Sequence, residues 1–195
     1  MKNSHKVKIL ASLVLALGAS GFAQQNQPSQ NPATQMTPMN AATINPFQVE
    51  AGLSADQYHQ RALDLANQAD AMYNPDFYDQ VLWTAAANYA KAAVKAAPDN
   101  TTYLRTLGMI YTKTQFWYRA YEVWTDLASR GQLDAEARQW AALSAAKVGY
   151  IRMSRGLPQE AVPFFEASLR WQANPTVQAM LEQAQNTVAA PDNGQ

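Results

Sequence analysis

The 195-residue chain is 48% hydrophobic and carries 15 basic and 15 acidic residues. That suffices for one domain with a real core, and with no basic block it leaves no electrostatic footprint for DNA or RNA. Cysteine is absent, which excludes disulfides, thiolate catalysis, cysteine-ligated metals and a lipid anchor carried on a cysteine after a leader.

Residues 1–23 have the layout of a secretory signal peptide. Lys2, Lys6 and Lys8 make a positive start, Ile9 to Leu17 an apolar core, and Gly21 and Ala23 a small-residue cleavage site. The apolar run is shorter than the ~20 residues a spanning helix needs. Cleavage after Ala23 is therefore expected, with no stable membrane insertion afterwards and a periplasmic or secreted, bacterial location. Losing three lysines leaves fewer basic than acidic residues, a mildly acidic mature protein. Residues 24–50, rich in Gln, Asn and Pro, have little to bury and are expected to form a disordered linker.

Residues 51–188 read as helices with no sheet. Ser54 with Gln57 is a capping box that opens a first helix ending near Tyr73. Asn74-Pro75 is expected to start the second, which stops before Pro98. Asn100 or Thr102 caps the third, ending near Lys113. A fourth runs from about Phe116 to Arg130, where Gly131 supplies a left-handed stop. Asp134 caps a long fifth helix that ends near Gly156. Pro158 starts the sixth, and Asn174-Pro175 a seventh with Val177, Leu181 and Ala184 on one face. Residues 189–195 are expected to be a flexible tail.

Several positions recur. Leu107-Gly108, Tyr111, Ala120 and Trp124 have downstream counterparts in Val148-Gly149, Arg152, Ala161 and Phe165, all displaced by one constant shift. In the other direction, Trp83 and Ala86 precede Trp117 and Ala120 by a common shift that is shorter by seven. Gly108 is small so that a second helix can approach closely, with Ala120 as its counterpart and Trp124 filling the flank. The extra seven residues of the downstream unit are about two helical turns, so they preserve the buried face; extending the fifth helix accommodates them most simply.

This spacing resembles the tetratricopeptide repeat (TPR), a 34-residue helix–turn–helix, over roughly Ser54 to Asn174. The resemblance implies an all-α solenoid of about three TPR hairpins plus a C-terminal capping helix. It also implies a concave groove lined by the first helix of each unit. Carried onto this chain, the groove positions are Thr102, Arg105, Met109, Thr112 and Lys113, then Leu143, Ala146, Tyr150, Met153 and Ser154, with Lys147 at the rim. Arg105 is expected to meet a carboxylate or a backbone carbonyl. Met109, Tyr150 and Met153 are expected to form an adaptable apolar strip.

The implied function is non-catalytic: an adaptor or scaffold that takes a peptide segment or helix of an envelope partner. The alternatives are a structural subunit of an envelope assembly, with self-association, and more distantly a small apolar ligand carrier or an enzyme. No catalytic, cofactor or metal site is expected. His59, the sole histidine after the leader, reads as a surface residue of the first helix. Asp134 and Glu136 read as first-turn charges favoured by the helix dipole. The five tryptophans read as core.

Overall fold

A computed structural model describes residues 45–72 and 81–189. These form seven helices and no strand: α1 (Ala55–Met72), α2 (Val81–Ala96), α3 (Thr101–Lys113), α4 (Trp117–Ser129), α5 (Ala135–Ser154), α6 (Pro158–Trp171) and α7 (Pro175–Ala189). The described protein is all-α, as expected. The signal peptide, residues 24–44 of the linker, the Asn74-Pro75 start of the second helix and the tail from 190 lie outside the described residues.

Local chemistry sets the helix ends. Ser54 and Gln57 exchange hydrogen bonds, Ser54 N–H to Gln57 Oε1 at 2.8 Å and Gln57 N–H to Ser54 Oγ at 3.2 Å, which completes the capping box. Asn100 accepts from the amides of Thr102 and Tyr103, Asp134 from Ala137, and Asn174 from Thr176 and Val177. Each side chain satisfies backbone donors that a helix start leaves bare. Helices α4 and α5 both stop in a left-handed glycine, Gly131 (φ 69°) and Gly156 (φ 74°). The amide beyond each glycine reaches back to close the turn, Gln132 to Leu127 and Leu157 to Arg152. The α3–α4 turn closes the same way from Phe116 to Tyr111, with Gln115 in the left-handed position at φ 59°.

Each helix packs chiefly on its neighbours in the chain. The odd-numbered helices also meet in order, α1 with α3, α3 with α5 and α5 with α7. Small residues allow the close approach: Ala62, Ala69, Ala86, Ala120, Ala137, Ala141, Ala145 and Ala161 are fully buried. A Cβ on Gly108 would lie 2.9 Å from the ring of Trp124, and one on Gly149 would lie 2.7 Å from the ring of Phe165. The glycine–aromatic contact is thus made twice, once in the α3–α4 hairpin and once in the α5–α6 hairpin. Helix α7 closes a second core cluster, setting Val177, Leu181 and Ala184 against Ala146, Ala161 and Phe165.

Helix α5 has 20 residues where α3 has 13, which absorbs the longer shift between these two hairpins. Side-chain contacts from α3 to α5 span only 29–32 residues. The α5–α6 turn therefore projects about two helical turns, on the order of 10 Å, past the α3–α4 turn.

One boundary differs from expectation. The linker was expected to run to residue 50, but residues 45–50 are docked. Asn88 donates to the Pro46 carbonyl at 2.7 Å, and the Glu50 amide donates to the Tyr89 hydroxyl at 3.2 Å. Val49, and Leu53 just beyond the segment, pack against a first core cluster that runs from α1 to α5. Val49, two side-chain hydrogen bonds and the Glu50–Arg61 ion pair hold a segment whose composition otherwise predicts disorder.

Candidate functional site

The expected groove residues do not share one environment. Thr112 is a core residue, 4% exposed. Its hydroxyl donates to the Gly108 carbonyl at 2.8 Å and accepts the indole N–H of Trp124 at 2.9 Å. A buried indole needs an acceptor, and Thr112 supplies it, so it is not available to a partner. Arg105 is already occupied. It donates to Asp134 at 2.5 Å and to Glu136 at 2.7 Å, tying α3 to the start of α5. Lys113 pairs with Asp70, tying α3 to α1.

Met109 packs against the first core cluster and Met153 against the second. They do not form one strip with Tyr150. Contacts between α3 and α5 join residues 29–32 apart in the chain, which puts Tyr150 and Met153 beyond the end of α3. The apolar strip required Met109 to face Tyr150, a longer offset than the packing allows. Ala146 is buried under α7. Leu143 and Tyr150 are half-buried, and Ser154 is exposed, while Thr102 stands at the exposed start of α3. Lys147 sits over the Trp117 ring, 5.7 Å from its centre, and Lys113 sits over Trp83 at 5.6 Å. The shift from Lys113 to Lys147 equals that from Trp83 to Trp117. This is a repeated cation–aromatic contact, and the tryptophan spacing carried half of its signal.

His59 is not a surface residue. It is half-buried between α1 and α3, with Nε2 2.9 Å from Thr106 Oγ1 and its ring 4.7 Å from that of Tyr103. Burial pushes its pKa below the ordinary value, and the Asp56 carboxylate opposes that shift. Tyr103 in turn donates to Asp56. Hydrogen bonding to that carboxylate, and then burial, raise the Tyr103 phenol. Trp83 and Trp124 are buried as expected, while Trp117, Trp140 and Trp171 are half-buried.

Two expected groove residues do come together, in a hollow of about 390 Å³ lined by Thr101, Thr102, Arg105 and the segment Gly131–Asp134. It lies where the N-termini of α3 and α5 converge on the α4–α5 loop. Its polar groups are two threonine hydroxyls, the Gln132 amide, the loop backbone and Arg105 with Asp134, the guanidinium being shared with Glu136 outside the lining. One guanidinium faces two carboxylates, so the set carries a net negative charge. It suits hydrogen bonding to a backbone or an amide better than capture of a carboxylate. The loop side of the hollow is invisible to repeat spacing, because it is built by the turn that separates two units.

The Asp134 carboxyl is held below its ordinary pKa by the Ala137 amide and then by Arg105. A depressed folded value means that its contribution to stability is present above the unfolded pKa, about 4. The contribution is lost as pH falls through the folded value. Asp134→Ala is expected to cost about 1 kcal/mol at pH 7 through the lost cap. The stability gap between wild type and Asp134→Ala should stay flat from pH 7 to 5 and shrink below 4 in urea melts. A gap that widened on acidification would contradict this assignment.

Among the described residues, no group of three or more His, Asp or Glu side chains comes together to hold a metal ion. None of the described helices is long and apolar enough to cross a membrane. Neither a protein-family model nor a curated protein matches the chain.

Proposed function

We propose that this chain is a non-catalytic protein-interaction module, an exported bacterial adaptor of the tetratricopeptide-repeat type, working in the periplasm or outside the cell. The observation that carries this reading is the repeated glycine–aromatic contact, Gly108 with Trp124 and Gly149 with Phe165. Hairpins that repeat one packing contact and stack in series are the means by which repeat proteins build an extended binding face. In this proposal α1, α3, α5 and α7 present that face, and a peptide segment of an envelope partner enters at the hollow beside Thr102. The polar lining would pair with its backbone or side-chain amides. Arg105 acts as a brace between α3 and α5, not as the anchor for a partner's carboxylate.

The test is affinity capture from envelope extract with the full chain as bait, beside a Thr102→Trp bait. Only the backbone amide of Thr102 serves the Asn100 cap, at an exposed position, so the indole blocks the hollow and leaves the fold alone. A partner held by the wild type and lost from Thr102→Trp is the expected result. Identical partners on both baits would overturn the assignment of the hollow. A chain that self-associates, with the hollow covered, would favour a structural subunit instead.

A further inference from the structure

The segment ahead of α1 displays what its seat recognises. Asn88 of α2 donates to the Pro46 carbonyl at 2.7 Å, and the Tyr89 hydroxyl accepts from the Glu50 amide at 3.2 Å. A donor at one end and an acceptor at the other fix the path of a backbone whatever side chains it carries. Val49 packs on the first core cluster, as does Tyr58, whose ring lies 6.3 Å from that of Tyr89. Arg61 of α1 stands 3.9 Å from the Glu50 carboxylate. The seat thus reads, in order, a carbonyl, an apolar side chain, and an amide with an acidic side chain.

The link from this segment to α1 is a turn at Ala51-Gly52. Gly52 has φ 82°, in the left-handed region that other residues enter only at a cost. A Cβ there would meet no described atom within 4 Å, so the turn is not held by packing on that side. The segment itself folds back at Asn45, which accepts from the Phe47 and Gln48 amides at 3.1 Å, and it leaves Phe47 81% exposed. Closure within one chain therefore hides little of its apolar surface beyond Val49. The contacts in the seat do not depend on which chain supplies the segment. The turn and the protein concentration decide between the two. We infer that residues 45–50 exchange between two copies of this chain, each segment filling the α1–α2 seat of the other in a symmetric dimer. An unrelated partner's segment fits less well. It would have to offer the same groups in the same order and displace a tethered rival.

Sedimentation velocity of the full chain over a range of concentrations tests this. Wild type is expected to be monomeric when dilute and dimeric when concentrated. Gly52→Val disfavours the closed turn about tenfold. A dimer opens two such turns, so the dimerisation constant should rise about a hundredfold. Mixing two disabled chains shows whether the segment passes between copies. One, with Asn88→Ala and Tyr89→Phe, keeps the segment and loses the seat. The other, with Val49→Asp and Glu50→Arg, keeps the seat and loses the segment. Each alone is expected to stay monomeric, and the mixture should form a heterodimer through the one good segment and the one good seat. Tyr89→Phe keeps the buried ring, and circular dichroism checks that each variant keeps its helices. No association in the mixture, or a Gly52→Val chain that stays monomeric, overturns the proposal. So do dimers that survive in the chain without the seat, since another surface then holds them. None of Arg61, Asn88 and Tyr89 lines the hollow, so this exchange and the proposed groove stand or fall separately.

Discussion

Trp124→Ala is expected to lower stability by about 3–5 kcal/mol, the cost of emptying a large aromatic site in a packed core. Its midpoint of thermal unfolding should fall by on the order of 10 °C. The side chain is fully buried, lies under Gly108 and joins α3 to α4 at the centre of the first core cluster. Its indole N–H, held by Thr112 Oγ1 at 2.9 Å, separates two contributions. Thr112→Val strands a buried donor and should cost about 1–3 kcal/mol, the usual penalty for an unsatisfied group. Trp124→Phe removes the donor and keeps most of the ring. If the hydrogen bond matters as the structure indicates, the double variant costs less than the two single costs added, because no orphan remains. Urea unfolding followed by circular dichroism measures all three. A near-neutral Thr112→Val would mean that the indole finds another acceptor.

The parts of this fold that sequence reveals are those written within one hairpin. Asn100, Asp134, Asn174, Gly131 and Gly156 mark helix ends because a cap or a left-handed stop is a local requirement. Gly149 and Phe165 could be matched to Gly108 and Trp124 because both members of each pair shift together. The buried face of α7 was readable from the spacing of Val177, Leu181 and Ala184.

The candidate site was less legible because it is built between hairpins. Repeat positions fix which face of α3 or α5 a residue occupies, not how far one helix slides along the other. The slide puts Arg105 beside Asp134 and Glu136, and it separates Met109 from Tyr150 and Met153. Thr112 misled for another reason. A threonine in a groove position looks available, yet a buried tryptophan on the partner helix demands an acceptor. That demand was present in the sequence and pointed inward. His59 reads as a surface residue in sequence because a single polar residue on a helix gives no sign that Tyr103 and Thr106 of α3 stand over it.

The second large effect concerns the projecting hairpin. Gly149→Ala sets two forces against each other. Alanine favours helix over glycine by about 1 kcal/mol. Against that, its Cβ would stand 2.7 and 2.8 Å from two atoms of the Phe165 ring. The ring is fully buried among Ala146, Ala161, Val177, Leu181 and Ala184, so it has no solvent to move into. Overpacking of this kind costs about 1–3 kcal/mol in packed cores. The clash is therefore expected to win, with a net loss of up to about 2 kcal/mol by urea unfolding. Gly108→Ala meets Trp124 at 2.9 Å and should lose no more than that. The cause can be isolated: Phe165→Leu, itself destabilising, should cost less in a Gly149→Ala background than in wild type, since the smaller side chain vacates the space the Cβ needs. A Gly149→Ala variant more stable than wild type would mean that Phe165 yields and α6 slides. The repeated close contact would then be a preference of the sequence, not the constraint that sets the hairpin's register.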